Sequence, residues 1–497
     1  MSKKNLIKIV VPVSVFVFLT ASVFMAGKFF KQQNGLAEKL NKTSFLRDKC
    51  TSMILIKEYT ADGSMMLAHN EDLYNYCAHH YFYTPYAKHE AYATEVVTTF
   101  YGAEVPQVPE TYAYTGTTIF DISYSPGAIT SGINENLVAV VNNMSYRKKP
   151  EKDPDQHGRI IWTEFTMFAL ERAKTAEEAV DVIGSLVSKY KLGADSGSIY
   201  GVTDPNDAWW VEITQEGQWV AQRVDKTTSL ARANIFNIGV VDFNSPNFKY
   251  SADLVSYAIG KTWYSGSGDF NFTDVYADPD KVNDPYNTRR VDRVNELLND
   301  RIAAKTVDPK LVMSIWRDHY EGTPYDLTYG HIQGSPHLTD ERTLCRIDTE
   351  ISTVIQSRVK INGQDVPADI GGICWRAMAT PCTSIYTPWY MGSLEVPAEY
   401  QTGVSQFTKK SAYWACRRLS KSVDMRYGDV VVNEVKRVQD KFENEEFDSQ
   451  EKIEMKALEL YNKYPDKARD YLSKYSSKTA KKATGKINSL FKYSERH

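Results

Sequence analysis

Hydrophobic and polar positions change period repeatedly along the chain. From Cys50, the stretches TSMILIKEY and SMMLAHNED are rich in apolar and β-branched residues on either side of TADG, which predicts a β-hairpin about Asp62-Gly63. A second strand pair is expected at about 117–146, where TTIFDISYS and LVAVVNNMSY flank a Gly132-Ile133-Asn134-Glu135 turn. WTEFTMFALERAK and TAEEAVDVIGSLVSKY then place apolar residues at helical spacing, and Thr175 with Glu178 forms a capping box for the second helix. Strand patterns return after Gly193 in SGSIYGV, AWWVEI and QWVAQRV, separated by the turns TDPND and TQEG. Strands, two helices and strands again predict an α+β chain of layered sheets and helices.

Residues 243–300 are aromatic and rich in Asn and Asp, a composition that predicts long surface loops shaping a pocket. From about 408 the pattern becomes helical and solvated, as in EKIEMKALELYNKY, and 408–497 is expected to pack on the body as a helical extension. At the other end, Ile9 to Ala26 is an apolar run behind Lys3, Lys4 and Lys8, which predicts an export signal or membrane anchor with the body outside the cytoplasm. The polar, basic stretch 27–49 reads as a tether or propeptide, so the expected divisions are 1–26, 27–49, 50–407 and 408–497.

Composition narrows the function. Of 497 residues, 42% are hydrophobic, which is globular, and the formal charge is −3. Residues 1–49 carry nine basic and two acidic side chains, so the remaining body has a net charge of −10 and no long basic stripe. That distribution argues against a nucleic-acid partner. Six cysteines are few for a disulfide scaffold, and they form no CxxC pair or zinc spacing. The nine histidines are scattered, and the adjacent His79 and His80 would face opposite sides of a strand, so neither a metal nor another cofactor is expected. No GxSxG, Walker, GxGxxG or HExxH motif occurs.

The chemistry concentrates at Cys50. A cysteine opening the first core strand, behind a removable segment, is the layout of an N-terminal nucleophile hydrolase. Cleavage of Lys49-Cys50 would free an α-amine that titrates near neutrality within reach of the thiol whose proton it must take. A lipid-attachment cysteine is disfavoured by the charged Arg47-Asp48-Lys49 before it, and an ordinary buried thiol is the bland alternative.

The ordered stretches CTSMILIKEYTADGSMMLAHNED, SGINENLVAV, ALERAKTAEEAVDVIGSLV, DPNDAWWVEI, ARANIFNIG, YEGTPYDLTYG and CWRAMATPCTSIYTPWY together resemble the cysteine-nucleophile dipeptidases of the N-terminal nucleophile hydrolases, relatives of the secernins. The resemblance implies a four-layered αββα sandwich over 50–407, no metal, and hydrolysis of dipeptides through an acyl-enzyme. It makes Cys50 the nucleophile and Asp72 the acidic residue near its amine. Asn234 becomes an oxyanion donor, and Asn142 or Asn143 a second one. Thr383 and Ser384 match a family signature. Where relatives usually carry Arg, this chain has His69, which would support a thiolate only when protonated.

The expected function is therefore an exported, initially tethered peptidase of dipeptides or short peptides, matured before Cys50 and released by the same cut. Two other readings stay open: an amidase acting on N-acyl amino acids or cell-wall fragments, and a membrane-anchored binding protein without catalysis. The expected partners are a peptide substrate and, through residues 9–26, a membrane; a homo-oligomer is left open.

Overall fold

A computed structural model describes residues 50–73, 78–119, 129–149, 155–328, 334–339, 341–404 and 406–496. The apolar run, the basic tether and Cys77 lie outside these residues. The chain divides into Met1–Arg47 and Asp48–His497, and every described residue belongs to the second unit. No helix among the described residues is long and apolar enough to cross a membrane.

The principal strands, in chain order, are β1 (Thr51–Leu55), β2 (Met65–Asp72), β3 (His79–Thr84), β4 (Tyr114–Ile119), β5 (Ser131–Asn134), β6 (Ala139–Ser145), β7 (Gly197–Thr203), β8 (Ala208–Ile213), β9 (Trp219–Arg223), β10 (Ala231–Arg232), β11 (Phe248–Tyr250), β12 (Thr349–Ser357), β13 (Gly372–Met378) and β14 (Thr387–Tyr390). The principal helices are α1 (Trp162–Arg172), α2 (Ala176–Tyr190), α3 (Pro285–Ala303), α4 (Ala412–Val423), α5 (Lys436–Tyr461) and α6 (Pro465–Ser494). One sheet has the order β10-β1-β2-β12-β13-β14 and the other β11-β9-β8-β7-β6-β5-β4-β3.

The sheets pack face to face through a shared core that includes Met53, Leu55, Leu67, Val141, Ile199 and Trp210. Their approach is close enough that a Cβ on Gly201 would lie 2.9 Å from Leu67 Cδ1. On the outer face of the eight-stranded sheet, Phe165, Phe168, Val180, Ile183 and Val187 of α1 and α2 pack on Val140, Tyr200, Val202, Trp209 and Val211. The outer face of the six-stranded sheet is covered by the C-terminal helices, with Trp375 of β13 stacked on Phe447 of α5 at 4.3 Å. The result is the expected αββα sandwich. Because a covered sheet has no wet face, β1, β2 and β12 are buried along their whole lengths.

Two local expectations change. The β5–β6 turn falls at Glu135–Leu137 rather than at Gly132–Glu135, because Asn134 Oδ1 accepts from the amides of Asn136 at 2.9 Å and Val138 at 3.0 Å, and Leu137 adopts a φ of 63°. Residues 285–303, read as surface loop, form helix α3, with Asp284 accepting from the Tyr286 amide at 3.0 Å and Pro285 following it. As expected, the helical C-terminal region packs on the body, where it covers the six-stranded sheet.

Candidate active site

Cys50 immediately precedes β1 and is 4% exposed. The register pairs Thr51 with Asn70 and Ser52 with His69, so one step back along β1 brings Cys50 beside Glu71. Residues 69 and 71 share a face of β2 by the two-residue period of a strand. Consequently the Cys50 thiol, a His69 ring nitrogen and a Glu71 carboxylate oxygen lie within 4.8 Å of one another. His69 Nε2 is 3.5 Å from Glu71 Oε2. Burial, reinforced by neighbouring His79, pushes His69 down to about 3, so the ring is neutral at physiological pH.

From α3, Arg290 reaches across the sheet edge to the same place. Its Nη1 donates to the Cys50 carbonyl at 2.7 Å and to Thr51 Oγ1 at 2.8 Å. Nη2 donates to Asn234 Oδ1 at 2.7 Å and to Asn287 Oδ1 at 3.2 Å, and Nε to the Tyr286 carbonyl at 2.8 Å. All five N–H groups of the guanidinium are thereby spent on neutral acceptors, and its charge is left to act on the site. Arg290 also fixes the Asn234 amide: with Oδ1 turned to the guanidinium, Nδ2 donates one hydrogen to the Met144 carbonyl at 2.9 Å and keeps a second.

Asp72 points to the opposite face of β2, where Thr349 Oγ1 donates to it at 2.7 Å and Arg346 Nε lies 3.8 Å away. A bulge between Thr349 and Ile351 turns that hydroxyl toward the carboxylate. Burial pushes the Asp72 carboxyl up to about 7, against the pull of Arg346 and Arg342. Arg346 grips Asp348 with two bonds of 2.7 Å. Arg342 is 2% exposed, within electrostatic reach of Arg290, Arg346, Asp72 and Asp348, yet none of its guanidinium nitrogens has a hydrogen-bond partner among the described residues.

Residues 49–441 match the model of peptidase family C69. The chain belongs to that family. It is 26% identical to a protein of Latilactobacillus sakei named "Probable dipeptidase" over 76% of this chain and 82% of the relative. It is also 26% identical to "Probable dipeptidase B" of Streptococcus pyogenes serotype M1, over 78% of this chain and 82% of the relative. Among solved structures, penicillin V acylase from Agrobacterium tumefaciens is similar over 69% of this chain and 86% of its own, with 14% identity and a TM-score of 0.37, too low to carry an argument.

In this C69 peptidase, Cys50, His69, Asn234 and Arg290 come together, with Asp72 on the reverse side of the same strand. Asn143 does not serve as a free donor. Its Nδ2 gives both hydrogens to the carbonyls of Arg232 at 3.1 Å and Ala233 at 3.0 Å, while its oxygen accepts from Ser52, so it ties the two sheets together. Asn142 faces away and donates to Thr166 Oγ1 at 2.9 Å. Thr383 closes its own turn on the Thr380 carbonyl at 3.1 Å. Sequence reasoning missed Glu71, Arg290 and Arg342. Glu71 was recoverable from strand period, since it shares a face with His69, and α3 was recoverable from its Asp284-Pro285 start.

The scattered histidines also meet in space. His319 and His337 converge with Cys345 and Cys382, a grouping that their sequence separation conceals.

Proposed function

We propose that the protein is a cysteine dipeptidase that hydrolyses short, zwitterionic peptides through an acyl-enzyme on Cys50, after cleavage of Lys49-Cys50. The observation that carries the substrate class is the buried guanidinium of Arg342, which lies within electrostatic reach of Arg290 and Asp72. None of the Arg342 guanidinium nitrogens has a hydrogen-bond partner among the described residues, while Glu71 lies beside the Cys50 thiol. A dipeptide carries its free carboxylate on the leaving side of the scissile bond, so it supplies the counter-charge this guanidinium needs.

The freed α-amine of Cys50 takes the thiol proton. His69, held at about 3, is several units too weak for a thiol of pKa about 8.5, whereas an α-amine near 8 is matched to it. The thiolate attacks the scissile carbonyl, and the second Asn234 N–H stabilises the tetrahedral oxyanion. Collapse expels the leaving amine, which receives the proton from the ammonium. Water, deprotonated by the same amine, then releases the acyl group. The likeness to proteins named as dipeptidases supports this reading. The apolar run Ile9–Ala26 supports an exported, initially anchored precursor whose cleavage also frees the body.

The test compares Ala-Ala with its C-terminal amide and with N-acetyl-Ala-Ala, for the wild type and Arg342→Met. We expect the wild type to favour the free dipeptide over both blocked forms. The variant should raise KM for the free acid about 10- to 100-fold, the range of one buried charge-assisted bond, with little change for the amide. An unchanged acid-to-amide ratio removes Arg342 from substrate binding. Preference for the N-acetyl substrate replaces the dipeptidase reading with the amidase one.

A further inference from the structure

Away from Cys50, four side chains from separate parts of the chain converge in the interior: His319, His337, Cys345 and Cys382. His319 follows the short helix Pro309–Ile315, His337 and Cys345 lie on the segment before β12, and Cys382 sits in the turn Pro381–Thr383 between β13 and β14. One nitrogen or sulfur from each falls within 4.8 Å of all the others. His319 Nε2 is 3.1 Å from His337 Nε2, and both sulfurs are 3.8 Å from His337 Nε2. For a tetrahedral ion with metal–nitrogen bonds of about 2.0–2.1 Å and metal–sulfur bonds of about 2.3 Å, the N···N edge is about 3.3 Å and the N···S edge about 3.6 Å. The three contacts made by His337 Nε2 each lie within about 0.2 Å of these edges.

The outer contacts orient the rings for ligation. His319 Nδ1 lies 3.0 Å from Glu321 Oε1, and His337 Nδ1 lies 2.6 Å from Asp424 Oδ1. An ionised carboxylate only accepts, so each Nδ1 carries a hydrogen and each Nε2 is turned toward the other, 3.1 Å away, where a proton or a metal ion can lie between them. A carboxylate behind each histidine is the usual support of a metal-bound ring. Two thiolates neutralise a divalent ion, so the assembled site can be buried without net charge. A cleft of about 550 Å³, lined in part by Cys382, Tyr427 and Glu321, gives the cluster a route to solvent.

We infer that His319, His337, Cys345 and Cys382 form a structural tetrahedral site for a zinc-like divalent cation, an N2S2 site separate from the Cys50 centre. Its consequence for the active site runs through the chain. Cys345 directly precedes Arg346, which lies beside Asp72, and its amide donates to the Asp318 carbonyl at 3.0 Å. The ion would pin the segment carrying Arg342, Arg346 and Asp348 against β2.

The experiment is elemental analysis of the full chain, isolated without a metal-binding tag and desalted into metal-free buffer. One zinc per chain is expected, and replacement by cobalt(II) should produce the visible bands of a tetrahedral, thiolate-ligated ion. Cys345→Ser and Cys382→Ser should each lose both signals, whereas Cys50→Ala should keep them, which separates this site from Cys50, His69 and Glu71. On the unmodified protein, a strong chelator should remove the metal and lower the melting temperature, with recovery on adding zinc, so the test does not depend on the variants folding. Wild-type protein that takes up no stoichiometric zinc or cobalt from excess ion overturns the site. So does stoichiometric metal in the Cys345→Ser/Cys382→Ser chain, or a Cys345–Cys382 disulfide in the freshly isolated protein. Because the readout is metal content, failure here is distinct from failure of the dipeptidase reading.

Discussion

At the scale of single residues, His69 shows how far environment overrides residue type. On a surface, imidazole would titrate near 6.5 and carry charge in mild acid. Fully buried between the sheets, beside His79, it is pushed down to about 3. The folded chain therefore stays neutral at His69 across a range where the unfolded chain takes up a proton. Stability from this residue is complete above pH 6.5 and is lost as the pH falls from 6.5 toward 3, because the unfolded state binds more protons there. Over that window the loss is about 4 kcal/mol. His69→Asn should remove this component of acid sensitivity. Urea unfolding between pH 7 and 4 should give a shallower loss of stability for the variant than for the wild type, and parallel curves would show that His69 is protonated in the folded chain. A neutral His69 cannot supply the permanent charge of the Arg that the family resemblance leads one to expect there, but Arg290 brings a guanidinium to the Cys50 carbonyl from another element.

At the scale of elements, legibility followed periodicity. The β1–β2 hairpin, α1, α2 and the run β7–β9 were visible because period and turn chemistry are local properties. Thr175 does cap α2, accepting from the Glu178 amide at 3.1 Å. Helix α3 escaped because a polar, aromatic-rich segment masks its narrow apolar stripe, and Arg290 escaped with it, since its partner Cys50 is 240 residues away. Asn143 looked like a donor because sequence shows the amide and not the two carbonyls that consume it. The C-terminal helices read as solvated because their wet faces dominate the composition, while a few buried residues carry the attachment. Glu454 of α5 is the clearest: it holds Arg358 at 2.7 Å, accepts from Tyr390 Oη at 3.0 Å and is 2% exposed. Glu454→Leu would strand the buried Arg358 and should cost about 3–5 kcal/mol in chemical denaturation. The double variant Arg358→Met/Glu454→Leu should recover much of that, since an apolar pair of similar size carries no desolvation penalty. Additive losses would mean that the ion pair is not what pins α5 to the sheet.

At the scale of the whole molecule, the sandwich buries the proposed nucleophile directly before its first strand. Cys50 is held by β1, β2 and Arg290, and in the proposed mechanism the peptide bond before it decides whether a base exists. An amide nitrogen in Lys49-Cys50 has no lone pair to take a proton, and neutral His69 is too acidic as a conjugate acid to substitute. Activity should thus depend on the chain terminus rather than on any rearrangement of the core. The decisive comparison is between a chain beginning at Cys50 and one carrying a single Gly before Cys50, both checked by intact mass. Their folds and melting temperatures should agree, because neither change touches a layer of the sandwich. Dipeptide hydrolysis should fall by at least about 100-fold in the extended chain, the low end of what general-base catalysis contributes. Both should be inactive as Cys50→Ala. Equal activity of the two chains would transfer the base to Glu71 or His69 and leave cleavage at Lys49-Cys50 as a matter of release from the N-terminal segment rather than of activation.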